Sequence, residues 1–229
     1  REMNRGIEIE FAADLNRPKD QPVIFYLLQI RPIVNTNETI DENLETIPRE
    51  DTILTAENAL GNGIVKNIHD FVYVKPDSFD SARTKEIADK VGQLNSRFLE
   101  EGKNYILVGP GRWGSTDPWL GIPVKWPQIS AARLIVESGL KNYRIDPSQG
   151  THFFQNLTSF RVGYFTVNPF INDGFYDLDY LGKFDPVYED EFIRHIRFKN
   201  PVVIKIDGKK KLGVVMKMNE EAPASHSKQ

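Results

Sequence analysis

The pattern of apolar and polar residues predicts a pair of strands at the start of the chain, followed by a polar linker. Residues 7–11 alternate apolar and acidic side chains, which is the two-residue period of a half-buried strand. Residues 22–31 are rich in strand-forming side chains and end before Pro32, so that the two segments predict a β-hairpin. Residues 35–51 carry six acidic side chains and one basic one. They predict a solvated linker over 35–50.

The clearest helix in the sequence is predicted to begin after Asp80 and to end before Gly102. Aspartate often caps a helix N-terminus, and glycine is common just beyond the C-terminus. Between them, four apolar residues recur on one helix face: Ile87, Val91, Leu94 and Phe98. Strand-like segments precede and follow the helix, at 70–75 and 105–108. This strand–helix–strand order is typical of a parallel α/β layer.

The middle of the chain predicts a long loop followed by shorter elements. Residues 109–115 are rich in glycine and continue irregularly to about residue 128, which is typical of a loop. Residues 131–137 fit either a strand or a short helix. Residues 151–157 fit a short helix, and residues 160–167 fit a strand.

A final pair of strands is predicted near the C-terminus. Residues 201–206 and 212–216 are apolar segments on either side of Asp207-Gly208, a dipeptide that favours a tight hairpin turn. Residues 219–229 show no core pattern, and we expect a disordered tail there. The chain is therefore predicted to have a mixed α/β fold, with an accessory α/β domain over 51–218 that ends in this hairpin.

Composition narrows the classes of protein to which the chain can belong. The 229 residues have a formal net charge of −3, which gives no broad basic surface for a nucleic acid. The absence of cysteine excludes disulfides and thiolate metal sites, and the four histidines lack metal-binding spacing. The longest apolar run is six residues, too short to cross a bilayer. We therefore expect a cytoplasmic protein with neither a nucleic acid nor a membrane as partner.

The predicted N-terminal hairpin carries the first candidate site. Because successive side chains on a strand point to opposite faces, Glu8 and Glu10 share a face, as do Gln29 and Arg31. Two carboxylates at this spacing can share a divalent cation, and a guanidinium beside them suits a phosphate. The same pattern also fits the polar face of an edge hairpin that binds nothing.

Ile7-Glu-Ile-Glu-Phe11 and Phe25-Tyr-Leu-Leu-Gln-Ile-Arg-Pro32 resemble the closing strands of the ATP-grasp domain of phosphoenolpyruvate synthase and pyruvate phosphate dikinase. The resemblance implies that residues 1–34 are the C-terminal strands of such a domain, in a parent protein that binds ATP and Mg²⁺. The roles that it implies are magnesium binding for Glu8 and Glu10, a position beside ATP for Gln29, and phosphate contact for Arg31.

This resemblance covers about 30 residues and departs from the family in the turn over residues 12–21, which is longer than usual. The glycine-rich loop and the lysine that hold ATP phosphates in the family would precede Arg1. The chain begins with Arg1 rather than Met, which predicts a piece of a longer protein. We therefore expect the N-terminal remainder of the parent as a partner, and no turnover of ATP by the chain alone.

The stretch Gly109–Ser115 is the second candidate site. A glycine-rich turn after a strand lets backbone N–H groups approach a phosphate, and Arg112 would add positive charge. On this interpretation Gly109, Gly111 and Ser115 bind the cofactor, although the spacing matches no standard nucleotide-binding motif. All three tryptophans lie close by, at positions 113, 119 and 126. Exposed, they would stack on a base or a sugar; buried, they would pack the loop.

His152 is the third candidate. It lies beside a glycine and hydroxyl residues at the start of a predicted helix, where it can accept a phosphoryl group or act as a general base. A hydrogen-bonded structural histidine fits the same pattern. With Arg112 it forms the candidate catalytic pair.

From about residue 51 onward, the chain is similar to the C-terminal portion of bacterial proteins described as PEP/pyruvate-binding-domain proteins, through residues 106–115 and 146–155. The two resemblances together imply part of an ATP-dependent, dikinase-like phosphotransferase: a kinase that uses ATP, Mg²⁺ and a small phosphoryl acceptor such as pyruvate. The alternative is a non-catalytic ligand-binding or regulatory domain that uses the loop Gly109–Trp119.

Overall fold

The computed structural model describes residues 7–14, 16–18, 21–32, 40, 42–117, 119–141, 145, 157 and 162–217. The chain divides into two compact units, Arg1–Thr39 and Ile40–Gln229. Within the described residues, no helix is both long and apolar enough to cross a membrane.

The first unit is an antiparallel hairpin of β1 (Ile7–Asp14) and β2 (Ile24–Pro32), as the alternating pattern predicts. The register shifts between Glu10 and Phe11. Phe11 stacks on Phe25 with ring centroids 4.5 Å apart. Apolar side chains are nevertheless exposed along the consecutive residues 23–28, so both faces of β2 carry apolar surface.

The second unit is built on a large mixed sheet. In chain order its described elements are β3 (Thr52–Ala56), β4 (Asn58–Leu60), β5 (Gly63–Val74), α1 (Thr84–Glu100), β6 (Tyr105–Pro110), β7 (Arg112–Trp113), β8 (Gly121–Ile122), β9 (Ala132–Ser138), β10 (Gly163–Val167), β11 (Phe175–Tyr176), α2 (Leu178–Gly182), β12 (Pro186–Glu189), β13 (Ile193–Asp207) and β14 (Leu212–Met216). The fold is mixed α/β and dominated by strands.

The strand order in this sheet is β11-β3-β14-β13-β5-β6-β9-β10-β4, and β12 adds to β13. Neighbours in the stretch β5-β6-β9-β10 are parallel, and the remaining pairs are antiparallel. β4 pairs with β10 at the far end of this order, yet its Ala59 N donates to Lys211 O beside β14 at 2.9 Å. The sheet therefore curls until β4, at one end of the order, approaches β14, near the other end.

Alternate residues of the parallel strands fill two apolar cores, one on each face of the sheet. Phe71, Ile106 and Val136 belong to the core that the curled sheet encloses. Val72 and Leu107, one residue further along, pack in the other core with the apolar face of α1. Because β6 and β9 are buried on both faces, they lack the polar alternation of an exposed strand.

Helix α1 confirms the sequence prediction closely. Its four predicted face residues, Ile87, Val91, Leu94 and Phe98, are all buried. Asp80 Oδ1 accepts from Ala82 N at 2.8 Å and caps a 3-10 turn, Ser81–Arg83, that leads into the helix. Gly102 follows the last turn with φ of +63°, a conformation that glycine adopts at no steric cost. β5, α1 and β6 form the predicted strand–helix–strand unit.

Four local predictions are corrected or resolved by the structure. The ambiguous segment 131–137 is strand β9, and the loop after β6 contains the short parallel pair β7 and β8. In the predicted linker 35–50, the described residues include two 3-10 turns, Leu44–Thr46 and Arg49–Asp51, and Leu44 is buried rather than solvated. The C-terminal hairpin exists, but residues 208–211 form its turn and the positive φ falls on Lys211. The predicted tail at 219–229 lies outside the described residues.

Candidate functional site

Three loops that follow neighbouring parallel strands meet at one edge of the large sheet. They follow β5, β6 and β9, and residues from each contribute to a cleft of about 320 Å³. Ligands of open parallel sheets commonly bind at this carboxyl edge of the strands. The described residues that line the cleft are Phe79, Asp80, Ser81, Gly111, Trp119, Gly121 and Leu140.

Close packing explains the glycines of the stretch Gly109–Ser115. A Cβ on Gly109 would lie 2.3 Å from Cζ2 of Trp113, and one on Gly111 would lie 2.7 Å from Cα of Gly121. Gly111 also has φ of +77°. Trp113 is buried, and its Nε1 donates to Val136 O at 3.0 Å. The glycines thus let an indole and a second backbone segment lie directly on the chain.

The amides of this loop are engaged within the chain, which differs from the phosphate cradle expected for Gly109 and Gly111. Gly109 lies inside β6. The N–H groups of residues 111–114 donate, in order, to Ser138 O, Leu120 O, Glu137 Oε1 and Ile122 O, at 3.2, 2.8, 3.0 and 2.8 Å. A phosphate would have to displace these bonds. The expected phosphate contacts of the Arg112 and Ser115 side chains stay predictions; Ser115 Oγ exchanges hydrogen bonds with the backbone of Asp117.

The tryptophans separate into two roles that the sequence left as alternatives. Trp113 is 3% exposed and packs the loop. Trp126 is half-buried at the start of a 3-10 turn. Trp119 is 76% exposed at the cleft, so it has the ring surface that a stacking ligand needs.

A buried carboxylate anchors the same loop. Glu137, at the end of β9, is fully buried, and its Oε1 accepts from Trp113 N at 3.0 Å. Its Oε2 accepts a hydrogen bond from the Tyr164 hydroxyl, which in turn accepts from Thr166 Oγ1 at 3.1 Å. Glu137 therefore joins β9, β10 and the glycine-rich loop. The sequence alone does not reveal this role, since a glutamate near the end of an apolar strand carries no signal of burial.

A second buried polar cluster lies towards the amino ends of the parallel strands. Asp70 Oδ1 accepts from His195 Nε2 and Arg197 Nε, both at 2.7 Å, and Asp70 and His195 are 2% and 5% exposed. Burial alone would raise the pKa of Asp70, but the hydrogen bonds from His195 and Arg197 outweigh it and hold the pKa below its usual value. The cluster is an ion-paired network, and the sequence analysis assigned no chemistry to His195.

In the first unit, the backbone register brings the family-like positions together. Glu8 is the direct cross-strand partner of Arg31, and Glu10 is the partner of Gln29. Their side chains lie outside the part that the structure describes. His152 also lies outside the described residues, so its proximity to Arg112 stays a prediction. Among the described residues, no group of three or more His, Asp or Glu could hold a metal ion.

Comparison with known proteins gives no relative. No family model, no curated protein and no solved structure matches the chain. Function is therefore inferred from the residues and their geometry.

Proposed function

We propose that the chain is part of an ATP-dependent, dikinase-like phosphotransferase, in which residues 1–34 complete an ATP–Mg²⁺ site and the second unit is an accessory domain. The supporting observation is the register of the first hairpin. It pairs Glu8 with Arg31 and Glu10 with Gln29, with the pair Ile9–Ile30 between them, so the four family-like positions form two alternate rungs that share one face of the hairpin. Carboxylates that hold Mg²⁺ and a guanidinium that holds phosphate must lie this close to share one nucleotide.

The exposure of the hairpin favours the same proposal. Phe25, Tyr26 and Leu27 are each more than half exposed, and successive residues of a strand face opposite sides. An isolated two-stranded hairpin is only marginally stable in water. Further strands of an ATP-binding domain would cover this apolar surface.

The test measures ATP binding by the full-length protein with and without Mg²⁺. Replacing both carboxylates, Glu8→Gln with Glu10→Gln, is expected to abolish the Mg²⁺-dependent part of the affinity. Asp14→Asn, at the end of the same strand, is the matched control and is expected to bind normally. Equal Mg²⁺-dependent affinities in the double variant and the control would contradict the proposal.

The catalytic role of His152 has its own test. The full-length protein is incubated with β- and γ-labelled ATP, and acid-labile, base-stable phosphoprotein is measured. In a phosphoryl relay through His152, with Arg112 beside it, the label disappears in His152→Ala and persists in the control His226→Ala. Label that persists in His152→Ala would place the phosphoryl carrier elsewhere and leave His152 structural.

A second candidate function, a non-catalytic ligand-binding or regulatory module, is favoured by one observation in the second unit. The exposed ring of Trp119 borders the cleft at the carboxyl ends of β5, β6 and β9. This function needs no catalytic residue. It would be supported by a small molecule that binds saturably and is recovered chemically unchanged.

A further inference from the structure

The Trp119 cleft is built to present one aromatic face. Trp119 N donates to Asp117 Oδ1 at 3.0 Å, and Leu120 N and Gly121 N donate to Asp117 O at 3.0 and 3.2 Å. These bonds hold the backbone of Trp119, Leu120 and Gly121 to Asp117, while 76% of the Trp119 residue surface stays exposed. An exposed tryptophan on a bonded turn is a stacking surface that needs little ordering when a ring binds.

The rest of the cleft suits a flat ligand. Gly111 and Gly121 lie in direct backbone contact, and neither has room for a Cβ, so backbone rather than side chains forms part of the lining. Phe79 and Leu140 add apolar surface. A volume of about 320 Å³ is at the small end of the range for ligand pockets.

The polar groups of the cleft select the chemistry of the ligand. Asp80 Oδ1 caps the turn before α1 by accepting from Ala82 N at 2.8 Å, which leaves Oδ2 as an acceptor for a ligand N–H. Ser81, the next residue, also lines the cleft. Among the described lining residues there is no lysine or arginine, so the cleft offers a carboxylate where a phosphate would need a cation.

We propose that this cleft binds the base of a purine nucleoside, with the ring stacked on Trp119 and an N–H of the base donated to Asp80. Aromatic stacking supplies the main part of the binding, and the carboxylate selects a ring that carries donors. The sugar extends towards solvent and any phosphate remains outside the cleft. This site is independent of the proposed ATP–Mg²⁺ site, because every residue that forms it belongs to the second unit.

Adenosine, which carries no phosphate, is the probe, and binding to the full 229-residue chain is followed by tryptophan fluorescence and by calorimetry. All three tryptophans lie in the second unit, so the fluorescence reports on that unit alone. We expect saturable quenching in the native chain and about ten-fold weaker binding or more in Trp119→Ala. Phe170→Ala removes another exposed aromatic ring outside the cleft and is expected to bind adenosine like the native chain.

Two further measurements separate the base from other ligands. Asp80→Asn keeps an oxygen that can cap the turn and is expected to bind adenosine several-fold more weakly. ADP is expected to bind no more tightly than adenosine, and ribose 5-phosphate is expected not to compete. The proposal is overturned if adenosine gives no saturable signal, if Trp119→Ala binds like Phe170→Ala, or if ribose 5-phosphate displaces adenosine.

Discussion

The two ends of the parallel strands β5, β6 and β9 differ in how their polar groups are used. At the amino ends, the buried Asp70 accepts hydrogen bonds from the buried His195 and from the more exposed Arg197, and the buried Asn95 bonds the Tyr105 hydroxyl and Ala131 N at 3.1 and 2.9 Å. At the carboxyl ends, the loops leave an open cleft with an exposed indole. Internal pairing supports stability at both ends, through Asp70 at one and Glu137 at the other, but the carboxyl ends also keep exposed surface for a ligand. Substitutions at the two ends should therefore separate stability from binding.

The largest effect is expected at the amino ends, from Asp70→Asn. The amide keeps the side-chain shape but replaces the carboxylate that accepts hydrogen bonds from His195 and Arg197. Because hydrogen bonds to a charged group are worth roughly 1.5–3 kcal/mol each, we expect a loss of about 3 kcal/mol of unfolding free energy. Urea denaturation measures the loss, with the exposed Asp77→Asn as control. The adenosine affinity of the folded variant is expected to be unchanged. A weaker affinity would show that the amino ends of the strands also contribute to binding at the carboxyl ends.

Gly109→Ala is expected to lower stability by about 2 kcal/mol, because overpacking at a close contact has costs of that order. The new Cβ would overlap Trp113, whose displacement would carry the cleft loop with it. Stability and adenosine binding should therefore both fall. Gly182→Ala, where a Cβ meets nothing within 4 Å, is the control for denaturation and calorimetry. If Gly109→Ala loses stability alone, the loop and the cleft are not coupled.

Acid should destabilise the second unit partly through Asp190. Burial alone would raise its pKa, but hydrogen bonds from Lys90, Tyr188 and the backbone of Phe192 and Ile193 lower it to about 2. The folded state therefore favours the ionised form, which contributes about 2 kcal/mol above roughly pH 4 and loses it as the pH falls towards 2. In denaturation series across this range, Asp190→Asn should flatten the pH dependence. If the unfolding free energy of Asp190→Asn depends on pH as steeply as that of the native chain, other carboxylates cause the acid destabilisation.

The smallest effect is expected in the core that the curled sheet encloses, from Tyr176→Phe. The Tyr176 hydroxyl is buried with no hydrogen-bond partner among the described residues, and burial raises its pKa. Removing it should leave stability unchanged or raise it by up to about 1 kcal/mol. Tyr105→Phe deletes the bond to Asn95 and is expected to cost about 1 kcal/mol. Equal losses in the two variants would show that Tyr176 has a partner in solution.

The periodicity of apolar residues is sufficient to predict those helices and strands whose pattern is complete within one segment of the chain. The buried face of α1, its glycine end and the first hairpin follow from residue spacing alone. Strand β9 was ambiguous because it is buried on both faces and therefore shows no alternation.

The sites depend on contacts that spacing does not encode. Asp70 and His195 are 125 positions apart and meet only because β5 pairs with β13. The Trp119 cleft needs loops from three different strands. The glycine-rich stretch was predicted as a loop, but its sequence does not show that the amides of residues 111–114 have internal acceptors.

The strand order also constrains how the second unit can be made by a ribosome. Within the second unit, β3 is the first described strand to be synthesised, yet its sheet neighbours are β11 and β14, more than a hundred residues downstream. Its apolar residues Ile53 and Leu54 therefore have no sheet partner until more than a hundred further residues have been synthesised. Such non-local pairing slows folding and lengthens the time for which an unpaired, aggregation-prone strand edge is exposed. Nascent chains that stop before Leu212 are thus the species most in need of a chaperone.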